Sequence, residues 1–126
     1  MAARILIVDD DPNIRDLLRL HLSSAGYEVS VAEDAIAAGY LVIKHPPDLI
    51  ISDVNMPHMD GFEFVAALKA DKTLPDIPVI FLTSDDEGDH RGKELGAVGY
   101  LVKPVRADRL LAVVAQNVPG GAVPIG

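Results

Sequence analysis

Five residues of the kind that handles phosphate stand at the ends of short apolar runs. Ile5–Val8 leads into Asp9 and Asp10, Leu49–Ser52 into Asp53, Val79–Leu82 into Thr83, and Tyr100–Val102 into Lys103. As parallel strands of one sheet, these runs would end side by side, at the carboxyl edge where open α/β sheets bind ligands. Three carboxylates placed there repel one another and resist ionisation unless a cation is present. A hard divalent ion such as magnesium takes oxygen ligands, keeps several waters and is often held by one or two carboxylates plus a phosphate. Lys103 brings a positive point charge for one phosphate oxygen, and Thr83 a hydroxyl donor for another. Such a set suits attack by a carboxylate on phosphorus, where catalysis is mainly positioning and charge neutralisation. Taken singly, Thr83 reads as a strand or turn residue and Lys103 as a solvated lysine. The joint pattern carries the argument.

The elements that must position these groups alternate along the chain. Residues 4–9 read as a buried strand, being continuous and rich in branched residues. Asp11-Pro12 opens a helix, Ile14, Leu17, Leu18, His21 and Leu22 follow its spacing, and Gly26 closes it. Tyr27, Val29 and Val31 alternate with polar residues, which predicts an edge strand with one wet face. A second helix over 34–44 carries Ile36, Tyr40 and Ile43 and stops at Pro46-Pro47. Asp48–Asp53 reads as a buried strand and Asn55–Met59 as a loop. Asp60 caps a third helix with Phe62, Val65, Ala66 and Leu68 inward. Pro75 and Pro78 bracket a loop before strand 79–82. Residues 86–96 form the weakest helix, polar and interrupted by Gly88 and Gly92. Strand 98–102 and helix 107–118, with Leu110, Leu111, Val113 and Val114, complete the series. Five β-α units in a row predict an α/β fold, a flavodoxin-like doubly wound sheet of five parallel strands with five helices. Strand order 2-1-3-4-5 is expected, which puts Asp9, Asp10 and Asp53 together at the switch point.

Length and composition set the bounds. The 126 residues suit one domain, expected over 1–118, with 119–126 a flexible Gly/Pro-rich tail or the start of a linker. Hydrophobic residues make up 49%, enough for a core. No apolar run approaches the ~18–20 residues that span a bilayer, no signal-peptide pattern opens the chain, and there is no cysteine. A cytoplasmic domain is expected. A net charge of −8 would be repelled by nucleic acid backbones, so no direct nucleic acid binding by this segment is expected. Other motifs fall away. The segment Gly88–Lys93 is one residue short of a phosphate-binding loop, and Glu94 stands where Ser or Thr is required. As a calcium loop, Asp53–Phe64 fails at His58, where Gly is needed, and at Phe64, where Glu is needed. The four histidines show no paired metal spacing.

Val8-Asp9-Asp10, Asp53 followed by Met56-Pro57 and Asp60-Gly61, Thr83-Ser84, and Gly99 through Lys103-Pro104 together resemble the receiver domain of two-component response regulators, of the chemotaxis single-domain type. The likeness covers about residues 4–118. It implies that Asp53 is the phosphoacceptor and that the protein is a signalling switch rather than an enzyme acting on other substrates. It implies that Mg²⁺ is held by Asp10, Asp53, the backbone carbonyl of Asn55 and, partly through water, Asp9. Lys103 and Thr83 would contact the phosphoryl group. Thr83 and Tyr100 would be the switch, reshaping the surface of residues 86–118. Tyr100 also reads as a half-buried strand aromatic. The implied partners are a sensor histidine kinase or histidine phosphotransfer protein, and an output domain or protein that meets the 86–118 surface. A phosphorylation-dependent homodimer through that surface is a further expectation. Asn55 and Asp85 occupy positions that tune phosphoryl lifetime, for which minutes are expected. Val105 departs from the phenylalanine frequent after Lys-Pro. The alternative reading is an interaction module of the same fold that works without phosphorylation.

Overall fold

A computed structural model describes residues 2–84 and 94–118. Five parallel strands, β1 (Arg4–Val8), β2 (Glu28–Ala32), β3 (Leu49–Asp53), β4 (Val79–Thr83) and β5 (Gly99–Val102), form one sheet in the order β2-β1-β3-β4-β5. This is the expected order. The described residues contain four helices: α1 (Pro12–Ser24), α2 (Ala35–Lys44), α3 (Gly61–Ala70) and α4 (Ala107–Asn117). The five-helix expectation is therefore not met among them. Of the fifth helix expected over 86–96, residues 86–93 lie outside the described residues, as does Asp85.

Successive side chains of a strand point to opposite faces, so a central strand apolar at every position feeds two cores. Ile5, Ile7, Leu49 and Ile51 pack with Leu18 and Leu22 of α1 and Leu110 and Val114 of α4. Leu6, Val8, Ile50 and Phe81 pack on the other side with Ala38 and Val42 of α2 and Phe62 and Val65 of α3. Burying such a side chain contributes roughly 1.5–3 kcal/mol, and these two layers fix where the strand ends lie. The outer strand β2 shows the predicted single wet face, with Glu28 and Ser30 exposed.

Local chemistry sets the helix ends. Asp11 caps α1, its side chain accepting from the Asn13 N–H at 2.9 Å, with Pro12 in the first position. At the other end Gly26 takes φ +97°, the Gly26 N–H donates to Ser23 O, and the Tyr27 N–H donates to Leu22 O. That is the paired-bond stop in which glycine supplies the left-handed residue. Asp60 and Glu63 cap α3 reciprocally: the Asp60 side chain accepts from the Glu63 N–H at 2.8 Å, and the Glu63 side chain accepts from the Asp60 N–H at 3.0 Å.

One helix face differs in part from expectation, and the structure assigns another that the sequence left open. In α3 Phe62 and Val65 are buried and Leu68 packs against the core as expected, while Phe64 is buried and Ala66 is exposed. In α2 the sheet is met by Ala35, Ala38 and Val42, and the larger Ile36, Tyr40 and Ile43 point to solvent.

Candidate functional site

Register places the chemistry. Val8 pairs with Ser52 and Asp53 with Leu82, so the residues after β1 and at the end of β3 are neighbours. Asp9, Asp10 and Asp53 each offer a carboxylate oxygen, and these oxygens lie within 4.8 Å of one another. Asp9 is fully buried, Asp53 is 5% exposed, and Asp10 is open to solvent. Lys103 follows β5 and is held there by its own N–H donating to Thr83 O at 2.8 Å. Its Nζ donates to Asp53 Oδ2 at 3.2 Å and stands 3.1 Å from Asp9 Oδ2. Thr83, buried, ends β4 one residue beyond the pair of Asp53. The structure thus brings together the three aspartates and Lys103 and sets Thr83 on the adjoining strand end. Tyr100 is half-buried on β5, with its ring centroid 5.9 Å from that of Phe81.

The backbone holds the acids in place. Asp53 Oδ1 accepts from the Asn55 N–H at 3.2 Å, and Asp9 Oδ1 accepts from the Asp11 N–H at 2.9 Å. Each turn fixes one carboxylate oxygen and leaves the other directed at Lys103. Burial pushes the Asp53 carboxyl above its ordinary range, and the charge of Asp9 adds to this. The Lys103 ammonium and the Asn55 N–H pull the other way without cancelling it. For Lys103, burial acts downward, but the close contact with Asp9 and the fields of Asp53 and Asp9 outweigh it and hold the ammonium above its ordinary value.

Asp9 Oδ2 is buried and makes no hydrogen bond of good geometry, its ion pair with Lys103 being off-direction. A buried carboxylate oxygen left in this state is costly. Three hard oxygen donors, one of them solvent-exposed, fit a small divalent cation that retains part of its water.

Three supporting residues went unrecognised in the sequence. Arg15 Nη1 donates to Asp9 O at 2.7 Å, tying the first turn of α1 to the acidic turn. Ser52 Oγ donates to Asp53 O at 3.0 Å. Gly61 meets the same carbonyl: a Cβ built there would lie 2.2 Å from Asp53 O. The Asp60-Gly61 pair was visible, but nothing local in sequence says which backbone a glycine must approach.

Comparison with known proteins gives a consistent picture. The family model described as the response regulator receiver domain matches residues 5–115. The DNA-binding dual master transcriptional regulator RpaA of Synechocystis is 42% identical over 113 residues, covering 88% of this chain and 47% of that protein. The response regulator MprA of a Mycobacterium species is 41% identical over 114 residues, covering 89% of this chain and 49% of that protein. The chain spans about half the length of these relatives. The chemotaxis response regulator CheY4 of Vibrio cholerae superposes with a TM-score of 0.87 at 39% identity, covering 94% of this chain and all of that one. No helix among the described residues is long and apolar enough to cross a membrane.

Proposed function

This chain belongs to the response regulator receiver domains of two-component systems, and we propose that it switches by taking a phosphoryl group onto Asp53. The observation that carries this reading is one buried carboxylate, Asp53, with two further acids within 4.8 Å and an ammonium at 3.2 Å. The donor is a phosphohistidine, on a sensor kinase or a histidine phosphotransfer protein. An Asp53 oxygen forms the new P–O bond as the P–N bond breaks, and the electron pair leaves with the imidazole. Asp53 works as a nucleophile only when ionised, and the Lys103 ammonium and the Asn55 N–H favour that form.

Mg²⁺ fits the donor set, held by Asp10, Asp53 and the Asn55 carbonyl with Asp9 partly through water, and when bound it neutralises charge on the acids and the phosphoryl oxygens. Lys103 pairs with one phosphoryl oxygen and Thr83 donates its hydroxyl to another. The receiver is residues 1–118. A hydroxyl drawn toward a new dianion is a local event with a reach set by packing. Thr83 and Val102 are paired across β4 and β5, and Tyr100 faces Phe81 two pairs back, so movement of Thr83 is passed to the 86–118 surface. That surface meets an output domain or partner protein, and phosphorylation favours a homodimer through it. The segment itself does not bind nucleic acid and acts in the cytoplasm. It is a phosphoacceptor that promotes only its own phosphoryl transfer and loss.

The test uses beryllofluoride with magnesium as a phosphoryl mimic, read by amide NMR. Shifts should spread from Asp53 to Thr83, Tyr100 and α4 in wild type and be absent in Asp53→Asn. A response confined to the acidic turn would leave Asp53 as a binding residue without a switch.

A further inference from the structure

The outer face of α2 has no role in the reading above, yet it exposes three large apolar side chains. The helix carries one charged residue, Lys44, at its last position. Ile36 is 61% exposed, Tyr40 71% and Ile43 66%. With Met59, Leu68 and Leu74 they line a shallow groove of about 330 Å³ between α2 and α3. The exposed parts of these side chains sum to roughly 500 Å² of contiguous apolar surface, at the upper end for a monomer.

We propose that this face is a self-association surface on which α2 packs antiparallel against α2 of a second copy. Three observations choose that occupant. Covering the face on both copies removes about 1,000 Å² from water, the size at which a weak specific interface becomes possible. Glu33, which stands just before the cap of α2, and Lys44, its last residue, are both exposed and mark opposite ends of the face. A two-fold axis near Gly39 and Tyr40 sets Lys44 of each copy beside Glu33 of the other, because an isologous contact pairs the two ends of the same patch. The antiparallel arrangement also opposes the helix dipoles favourably. Third, Gly39 sits in the middle of this helix although a Cβ there would meet nothing within 4 Å. The internal fold has no use for a glycine at that point, and alanine is the better helix former. A glycine at the crossing point lets a second backbone approach closely.

The full chain is examined by sedimentation equilibrium over a wide concentration range in the absence of beryllofluoride and magnesium, so that no phosphorylation-dependent contact through the 86–118 surface contributes. A reversible monomer–dimer equilibrium is expected. Ile43→Glu, at a solvent-facing position that folding tolerates, should weaken it at least tenfold while circular dichroism stays unchanged. Glu33→Lys and Lys44→Glu should each weaken it several-fold, and the double exchange should restore it to within twofold of wild type. A chain that stays monomeric into the millimolar range overturns the proposal and leaves the face to a different protein. A dimer indifferent to Ile43→Glu, or one that the double exchange fails to restore, overturns it as well.

Discussion

Replacing Asp53 by asparagine should stabilise the protein when no divalent cation is present, even though it removes the group on which function depends. At an effective dielectric of about 20, unit charges about 4.8 Å apart repel by roughly 3.5 kcal/mol, and charges about 3.2 Å apart attract by roughly 5 kcal/mol. Asp53 faces one such attraction, from Lys103, and two repulsions, from Asp9 and Asp10. Asp10 is solvent-exposed, so its share is much reduced. The pairwise contributions then nearly cancel, and the cost of holding a buried charge out of water decides the sign. The upward shift of the Asp53 carboxyl, caused first by burial, has the same sign. Asparagine keeps an acceptor for the Asn55 N–H and carries no charge. A gain of about 1–2 kcal/mol at pH 7 follows, a rise in Tm of roughly 4–8 °C for a domain of this size. The pH dependence has a defined direction. Between the ordinary carboxylate value and its raised folded value, Asp53 holds a proton that the unfolded chain has lost. Wild-type stability therefore declines as pH rises through that window, and the advantage of Asp53→Asn grows over the same window. The assay is thermal unfolding of both proteins in chelator from pH 3 to pH 8. A variant less stable than wild type at pH 7, or an advantage undiminished at pH 3, would refute the electrostatic reasoning.

Other expectations follow from single contacts. Gly61→Ala drives a Cβ to 2.2 Å from Asp53 O and must shift the turn that holds the phosphoacceptor. It should cost about 1–3 kcal/mol by chemical denaturation and slow phosphorylation by acetyl phosphate. Lys103→Met removes the cation that competes for the acids, so Mg²⁺ affinity by calorimetry should rise several-fold, while apo stability falls because Asp9 Oδ2 loses its ion pair. Asp60→Ala breaks the reciprocal cap of α3 and should cost about 1 kcal/mol, with Mg²⁺ affinity unchanged.

The sheet was legible because its signals are strong and redundant. Continuous branched runs such as Leu49–Ile51 can only be buried on both faces, and a run of β-α units leaves few topologies. The acids and Lys103 were legible for the same reason, since a strand end is a fixed address in this fold. Helix faces were harder. Ile36, Tyr40 and Ile43 have ideal helical spacing, yet Ala35, Ala38 and Val42 face the sheet. Hydrophobic periodicity reports a face and not its destination. In α3 the same ambiguity exchanged Ala66 for Phe64. Arg15 and Gly61 were invisible as site residues because their partners are backbone carbonyls, which sequence does not mark.

The most direct test of the central claim is intact mass after incubation with magnesium and acetyl phosphate, wild type beside Asp53→Asn. The account predicts one added phosphoryl group on wild type alone, lost when the metal is chelated beforehand. No gain in wild type, from acetyl phosphate or from a cognate histidine kinase, would contradict it and leave an interaction module that works without phosphorylation.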